Sequence, residues 1–136
     1  MDRRAFVAAL AVAAVPSGRL VSAPQEQDTG RVTMYGLIGK ITATPGQRDA
    51  LVSHLLEGTR EMPGCLSYVV AQDPADAAAI WVTEVWEDEA SHKASLSLPA
   101  VQAAIAKARP LIAGFSDRVV TAPVGGVGLD AARQPR

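Results

Sequence analysis

Residues 79–87 read Ala79-Ile80-Trp81-Val82-Thr83-Glu84-Val85-Trp86-Glu87. β-Branched and aromatic residues dominate the stretch, which predicts a strand. Side chains alternate across a strand, so Ile80, Val82, Glu84 and Trp86 share one face while Trp81 and Val85 share the other. Both faces are therefore largely apolar. A single layer of helices covers only one of them, and the uncovered face needs a second surface. A homodimer with two sheets packed together supplies it most economically.

On the N-terminal side of this strand, residues 32–42 (VTMYGLIGKIT) predict a first strand. Thr44 and Pro45 are placed to cap and begin a helix, which runs to about Met62 with Leu51, Leu55, Thr59 and Met62 on one face. Val52 and Leu56 widen that stripe, His54 falls on its polar side, and Pro63-Gly64 stops the helix. Cys65–Gln72 predicts a second strand, with Cys65 as a small buried hydrophobe and Asp73–Asp76 as a turn. After the 79–87 strand, Asp88 can cap a short helix to about Ser95. Ser97 can cap a longer one over Leu98–Ala113, closed by Gly114, and Phe115–Val124 predicts the last strand. The order is β-α-β-β-α-β, an α+β ferredoxin-like arrangement.

The whole chain has 136 residues, 49% hydrophobic and 20% charged, with a net charge of −1. That is one domain, too apolar for disorder and without the basic field that nucleic acid requires. A single cysteine excludes an internal disulfide framework, and two widely separated histidines add no credible metal set. The segment Gly125-Gly126-Val127-Gly128 is no phosphate loop, because no strand-to-helix unit or Gly-Lys-Ser/Thr accompanies it. No Gly-x-Ser-x-Gly elbow is present, which argues against a Ser-His-Asp hydrolase.

The N-terminus is of a different kind. Arg3-Arg4 precedes the apolar run Ala5–Val15, and Pro16-Ser17-Gly18 and Val21-Ser22-Ala23 follow it. A positive start, a short apolar core and a small-residue exit predict an export signal over residues 1–23. Arg3-Arg4-Ala5-Phe6-Val7 also resembles the twin-arginine signal of bacterial export, which implies a periplasmic or secreted protein. Eleven apolar residues are too few for a stable membrane span, since a helix needs about 20. Residues 24–31 are a polar linker, 32–124 the domain and 125–136 a tail.

Met62-Pro63-Gly64-Cys65, Asp73-Pro74, the Thr83-Glu84-Val85-Trp86-Glu87 segment and Leu98-Pro99 together resemble the antibiotic biosynthesis monooxygenase (ABM) family. They are most similar to its bacterial branch of quinol monooxygenases, and the resemblance spans Met34–Val120. It implies a dimeric α/β barrel built from two ferredoxin-like protomers. It further implies a cofactor-independent monooxygenase that oxidises a small aromatic, phenolic or quinol-type substrate, with dioxygen as co-substrate and neither flavin nor metal. The alternative is a non-catalytic dimeric barrel that binds a small apolar molecule. Haem-degrading relatives rely on a pocket asparagine, and this sequence contains none, which argues against that branch.

Such chemistry needs an apolar pocket, a proton acceptor and a donor for a developing oxyanion. His92 is the candidate catalytic residue, in the short helix after the Glu-x-Trp-Glu segment. Relatives often place a histidine three residues later, at Ser95, and another just after Leu98-Pro99, where Ala100 stands. A surface histidine on a polar helix is the competing reading. Glu84, a carboxylate within an apolar strand, is either a pocket acid or the partner of Arg118 or Lys40. Trp86 and Tyr68 are candidate pocket residues, Tyr35 is a weaker one, and Trp81 belongs to the dimer face.

Overall fold

A computed structural model of the chain describes residues 33–129; the segments expected to be an export signal (1–23) and a linker (24–31), and the end of the expected tail, lie outside the described residues. Strand β1 is Tyr35–Ala43, helix α1 Arg48–Gly58, β2 Cys65–Gln72 and β3 Ala79–Trp86. Helices α2 (Glu89–Ser95) and α3 (Pro99–Ala108) follow, then a single 3₁₀ turn at Arg109–Leu111 and strand β4, Ile112–Thr121. The four strands form one antiparallel sheet in the order β2-β3-β1-β4. This is the ferredoxin-like α+β fold. No described helix is long and apolar enough to cross a membrane.

The boundaries of two helices differ from the sequence expectation, for local reasons. Gly46 adopts φ +77° and the Gln47 amide donates to the Thr44 carbonyl, so residues 44–47 form a turn rather than a cap. Helix α1 therefore starts at Arg48, without a side-chain cap. Its far end stops at Gly58, four residues before Met62, and the Thr59 hydroxyl donates to the Leu55 carbonyl at 2.7 Å. Leu56 is 48% exposed and does not widen the buried stripe. Pro110 ends α3 early because it cannot continue the amide ladder, so Ile112 joins the sheet opposite Ala43 instead of the helix. Leu98, not Ser97, stands at the cap position of α3. The Asp88 cap is as expected: its carboxylate accepts from the Ser91 amide at 2.7 Å.

The helices cover the face carrying Leu37, Ile41, Ile80, Val82 and Trp86, all at most 7% exposed. Trp86 and Trp81 lie on opposite faces: Trp86 is 1% exposed beneath the helices, whereas Trp81 is half-buried and donates to Asp73 at 2.9 Å. At the far end of that outer face Lys40 pairs with the same Asp73 carboxylate, and so is not the partner of Glu84.

Helices α1 and α3 approach closely where Gly58 meets Ala104. A Cβ on Gly58 would collide with the Ala104 methyl and crowd the Ala100 carbonyl. Replacing Gly58 by alanine would ordinarily favour a helix by about 1 kcal/mol, but here overpacking costs about 1–3 kcal/mol. Urea denaturation of Gly58→Ala is expected to show a lower midpoint at an unchanged slope; a raised midpoint would contradict this packing.

Candidate active site

Between the helices and the sheet lies a partly open cavity of about 120 Å³. Its walls are mainly aliphatic, and its polar lining includes Glu84 from β3, His92 from α2 and Arg118 from β4, together with Lys40 from β1. Trp86, Tyr68 and Ser95 also line it. The four residues expected at the site, His92, Trp86, Tyr68 and Glu84, thus meet in one place.

Each reaches the cavity for a local reason. Glu84 and Trp86 are two apart on β3 and share its helix-side face. The Trp86 indole N–H donates to the Glu84 carboxylate at 2.9 Å. On β2 an irregular register after Cys65 places both Cys65, opposite Trp86, and Tyr68, opposite Glu84, on that side. His92 lies in α2, which the Asp88 cap anchors directly after β3. It is 4% exposed, so the reading as a surface histidine is overturned. Its ring meets Trp86 edge-on at 5.4 Å between centroids and tilts against Tyr35 at 5.3 Å. His92 Nε2 stands 3.9 Å from a Glu84 carboxylate oxygen, and its Nδ1 is buried without a hydrogen-bond partner.

Burial sets the protonation states. It lowers the His92 pKa to about 4, helped by the positive charges of Arg118 and Lys93, so the imidazole is neutral near pH 7. Burial raises the Glu84 carboxyl, while the Trp86 hydrogen bond and the Arg118 charge pull it back. Tyr68 is held protonated by burial and by the nearby Glu84 charge. Cys65 is pushed up to about 11 by burial, then by Glu84, and is an inert thiol packed beside Met62 and Trp86. Tyr35 is raised by burial, against the Arg118 charge and hydrogen bond.

Arg118 enters the sequence reading only as a possible counter-ion for Glu84. In the structure it is a wall of the cavity itself. Ser95, where relatives often carry histidine, is 4% exposed and its hydroxyl donates to the His92 carbonyl at 2.6 Å. His54 is half-buried rather than solvated and lies outside the cavity lining. Among the described residues no group of three or more His, Cys, Asp or Glu side chains is arranged to hold a metal.

The buried neutral histidine has a consequence for stability. Its folded pKa of about 4 lies below the ordinary value of 6.5, so between these pH values the unfolded chain binds a proton that the folded chain does not. Stability from this group is present above pH 6.5 and lost as pH falls toward 4. The loss is on the order of 2 kcal/mol. Urea denaturation between pH 7 and 4.5 is expected to show a shallower acid slope in His92→Gln; an identical slope would place the histidine outside this linkage.

The antibiotic biosynthesis monooxygenase family matches residues 34–107, a segment that includes the Met62–Cys65 and Thr83–Glu87 motifs. Among solved structures, a protein of Chloroflexus aurantiacus J-10-fl, named provisionally as an antibiotic biosynthesis monooxygenase, is 68% identical at a TM-score of 0.69. The match covers 71% of this chain and 98% of that one. A Pseudomonas aeruginosa protein is 25% identical at a TM-score of 0.60, covering 68% of this chain and 96% of that one. A Caulobacter crescentus CB15 protein, also named provisionally as an antibiotic biosynthesis monooxygenase, shares the fold at 19% identity and a TM-score of 0.62, over 69% of this chain and 92% of that one. No curated protein matches the chain. With its helix-side cavity, its buried histidine and its Glu-x-Trp-Glu strand, this chain belongs to the antibiotic biosynthesis monooxygenase family, whose members are generally monooxygenase-like.

Proposed function

We propose that the protein oxidises a small phenolic or quinol-type molecule with dioxygen, without a cofactor, in the cavity beside His92. The observation that carries this reading is the convergence of a neutral, buried imidazole, a buried carboxyl and an indole on one apolar cavity. Apolar walls suit an aromatic ring, and the few polar groups orient its oxygen. A neutral imidazole accepts the ring hydroxyl proton and leaves an electron-rich anion. That anion passes an electron to dioxygen, and the two radicals recombine at a ring carbon. For a hydroquinone, one oxygen atom enters the ring and the other leaves as water. The products are a hydroxyquinone and one water, and all four electrons come from the substrate.

Two further elements belong to the proposal. The protomers pair through the sheet face away from the helices, where Val69 and Val119 are 51% and 49% exposed in the single chain. Residues 1–23 direct export by the twin-arginine route, on the strength of Arg3-Arg4 and the Ala5–Val15 run.

Ser95 and Ala100, standing where relatives often carry histidine, favour a second reading as a binding protein without turnover. Oxygen uptake with a panel of substituted hydroquinones separates the two. Turnover is expected, with kcat/KM in His92→Ala lower by about 10²–10⁴. An unchanged rate in that variant would remove His92 from the chemistry, and binding without oxygen uptake would select the second reading. Sedimentation is expected to give a dimer that Val119→Glu dissociates; a monomeric wild type would contradict the pairing.

A further inference from the structure

Two irregular features face each other across β1 and β4. On β4, Val119 lies opposite Ile38 and Ser116 opposite Lys40. Gly39 is therefore opposed by two residues, Asp117 and Arg118, which is a β-bulge. Asp117, at the bulge, has φ 50°, a left-handed conformation rare outside glycine, although aspartate tolerates it better than most residues. The extra residue changes which side chains face the helices. Phe115, opposite Ile41, faces them; without the bulge Asp117 would do so next, and Arg118 would point to the outer face. With it, Arg118 turns into the cavity and Val119 takes the outer face. A strained bulge that re-aims one cationic side chain into a cavity is the kind of feature that marks a binding site.

Gly39 is the second feature. It lies on β1 between Leu37 and Ile41, on the helix side, and lines the cavity. Its backbone is not in the left-handed region, and a Cβ built there would meet nothing within 4 Å. Neither conformation nor packing within the chain requires glycine at this position, where a larger residue would also strengthen the strand. What glycine provides is a flat, open floor next to the guanidinium. A cavity of about 120 Å³ is close to the size that accommodates one benzene ring, about 150 Å³ in an engineered case.

We propose that Arg118 is the specificity-determining residue of this cavity: the ligand is a single-ring aromatic molecule lying over Gly39, with an ionised ring oxygen directed to the guanidinium. The bulge then serves to present a fixed positive charge to the ring oxygen once its proton has left. His92 takes the proton and Arg118 holds the anion. A neutral aromatic lacking that oxygen gains no charge-assisted contact with the guanidinium and binds less tightly than the phenolate. The assignment rests on the cavity being the substrate site, as in the function proposed above.

4-Nitrophenol is a suitable probe. It is a single ring, its phenolate absorbs visible light, and the nitro group makes it a poor electron donor, so binding is read without turnover. Spectrophotometric titration of the complex is expected to show the bound phenol ionising at lower pH than the free one, by about one unit or more. Arg118→Gln should abolish that displacement, and Arg118→Lys should restore part of it. A merely structural arginine would alter thermal stability but not the ionisation of a bound chromophore. Gly39→Val should weaken 4-nitrophenol binding by about tenfold or more without lowering the melting temperature. The assignment is overturned if wild type does not bind the probe, or if the bound and free phenol ionise alike. It is equally overturned if Arg118→Gln keeps the displacement or Gly39→Val binds as wild type does. Failure of hydroquinone turnover with phenolate binding intact would defeat the oxidation reading and leave this one standing.

Discussion

A carboxylate in the middle of an apolar strand, buried under two helices, is the constraint around which this molecule is arranged. The Glu84 side chain is only 13% exposed, and burial penalises its charged form. The Trp86 indole N–H, two residues along the same strand face, donates to it at 2.9 Å. The pair forms a unit: the strand supplies the acceptor and its own donor, which gives the Glu-x-Trp spacing a physical meaning. Trp86 is in turn the largest side chain buried to within 2% exposure, so the polar contact is fixed by the packing of Met62 and Val101 around the ring. His92 lies edge-on against that ring, with its Nε2 toward Glu84. Fold and site therefore share the same residues.

The cavity exists because the helix layer does not fill the space above the middle of the sheet. Close contact of α1 and α3 at Gly58 and Ala104 holds the helices together, and Gly39 beneath them leaves the sheet floor bare. Polar groups enter from different elements, among them Glu84 from β3, His92 from α2 and Arg118 from β4. In such a low-dielectric space the charge of Arg118 reaches its neighbours: it adds to the burial that lowers the His92 pKa and partly offsets the burial that raises Tyr35 and Glu84. Burial sets the protonation balance of the site, and this one cation modulates it.

Much of this is legible in the chain. Alternation along Ala79–Trp86 places Ile80, Val82, Glu84 and Trp86 under the helices and Trp81 outside them, and the order of elements follows from turn residues such as Pro63-Gly64 and Asp73–Asp76. What escapes is set by backbone irregularity. The bulge at Asp117 reverses the facing of Arg118, and strict alternation places that arginine on the wrong side. Gly46 delays α1 by forming a left-handed turn, and Pro110 truncates α3. Burial of His92 escapes for another reason. Its helix reads as polar, and only the tertiary placement of α2 against Trp86 and Tyr35 encloses it.

The direct measurement of the central claim is a crystal structure of the protein with hydroquinone, grown without oxygen. The account predicts one ring over Gly39 beneath α1 and α3, with one hydroxyl within hydrogen-bonding distance of His92 and a ring oxygen facing Arg118. An empty helix-side cavity, with the ring bound elsewhere or not at all, would contradict it.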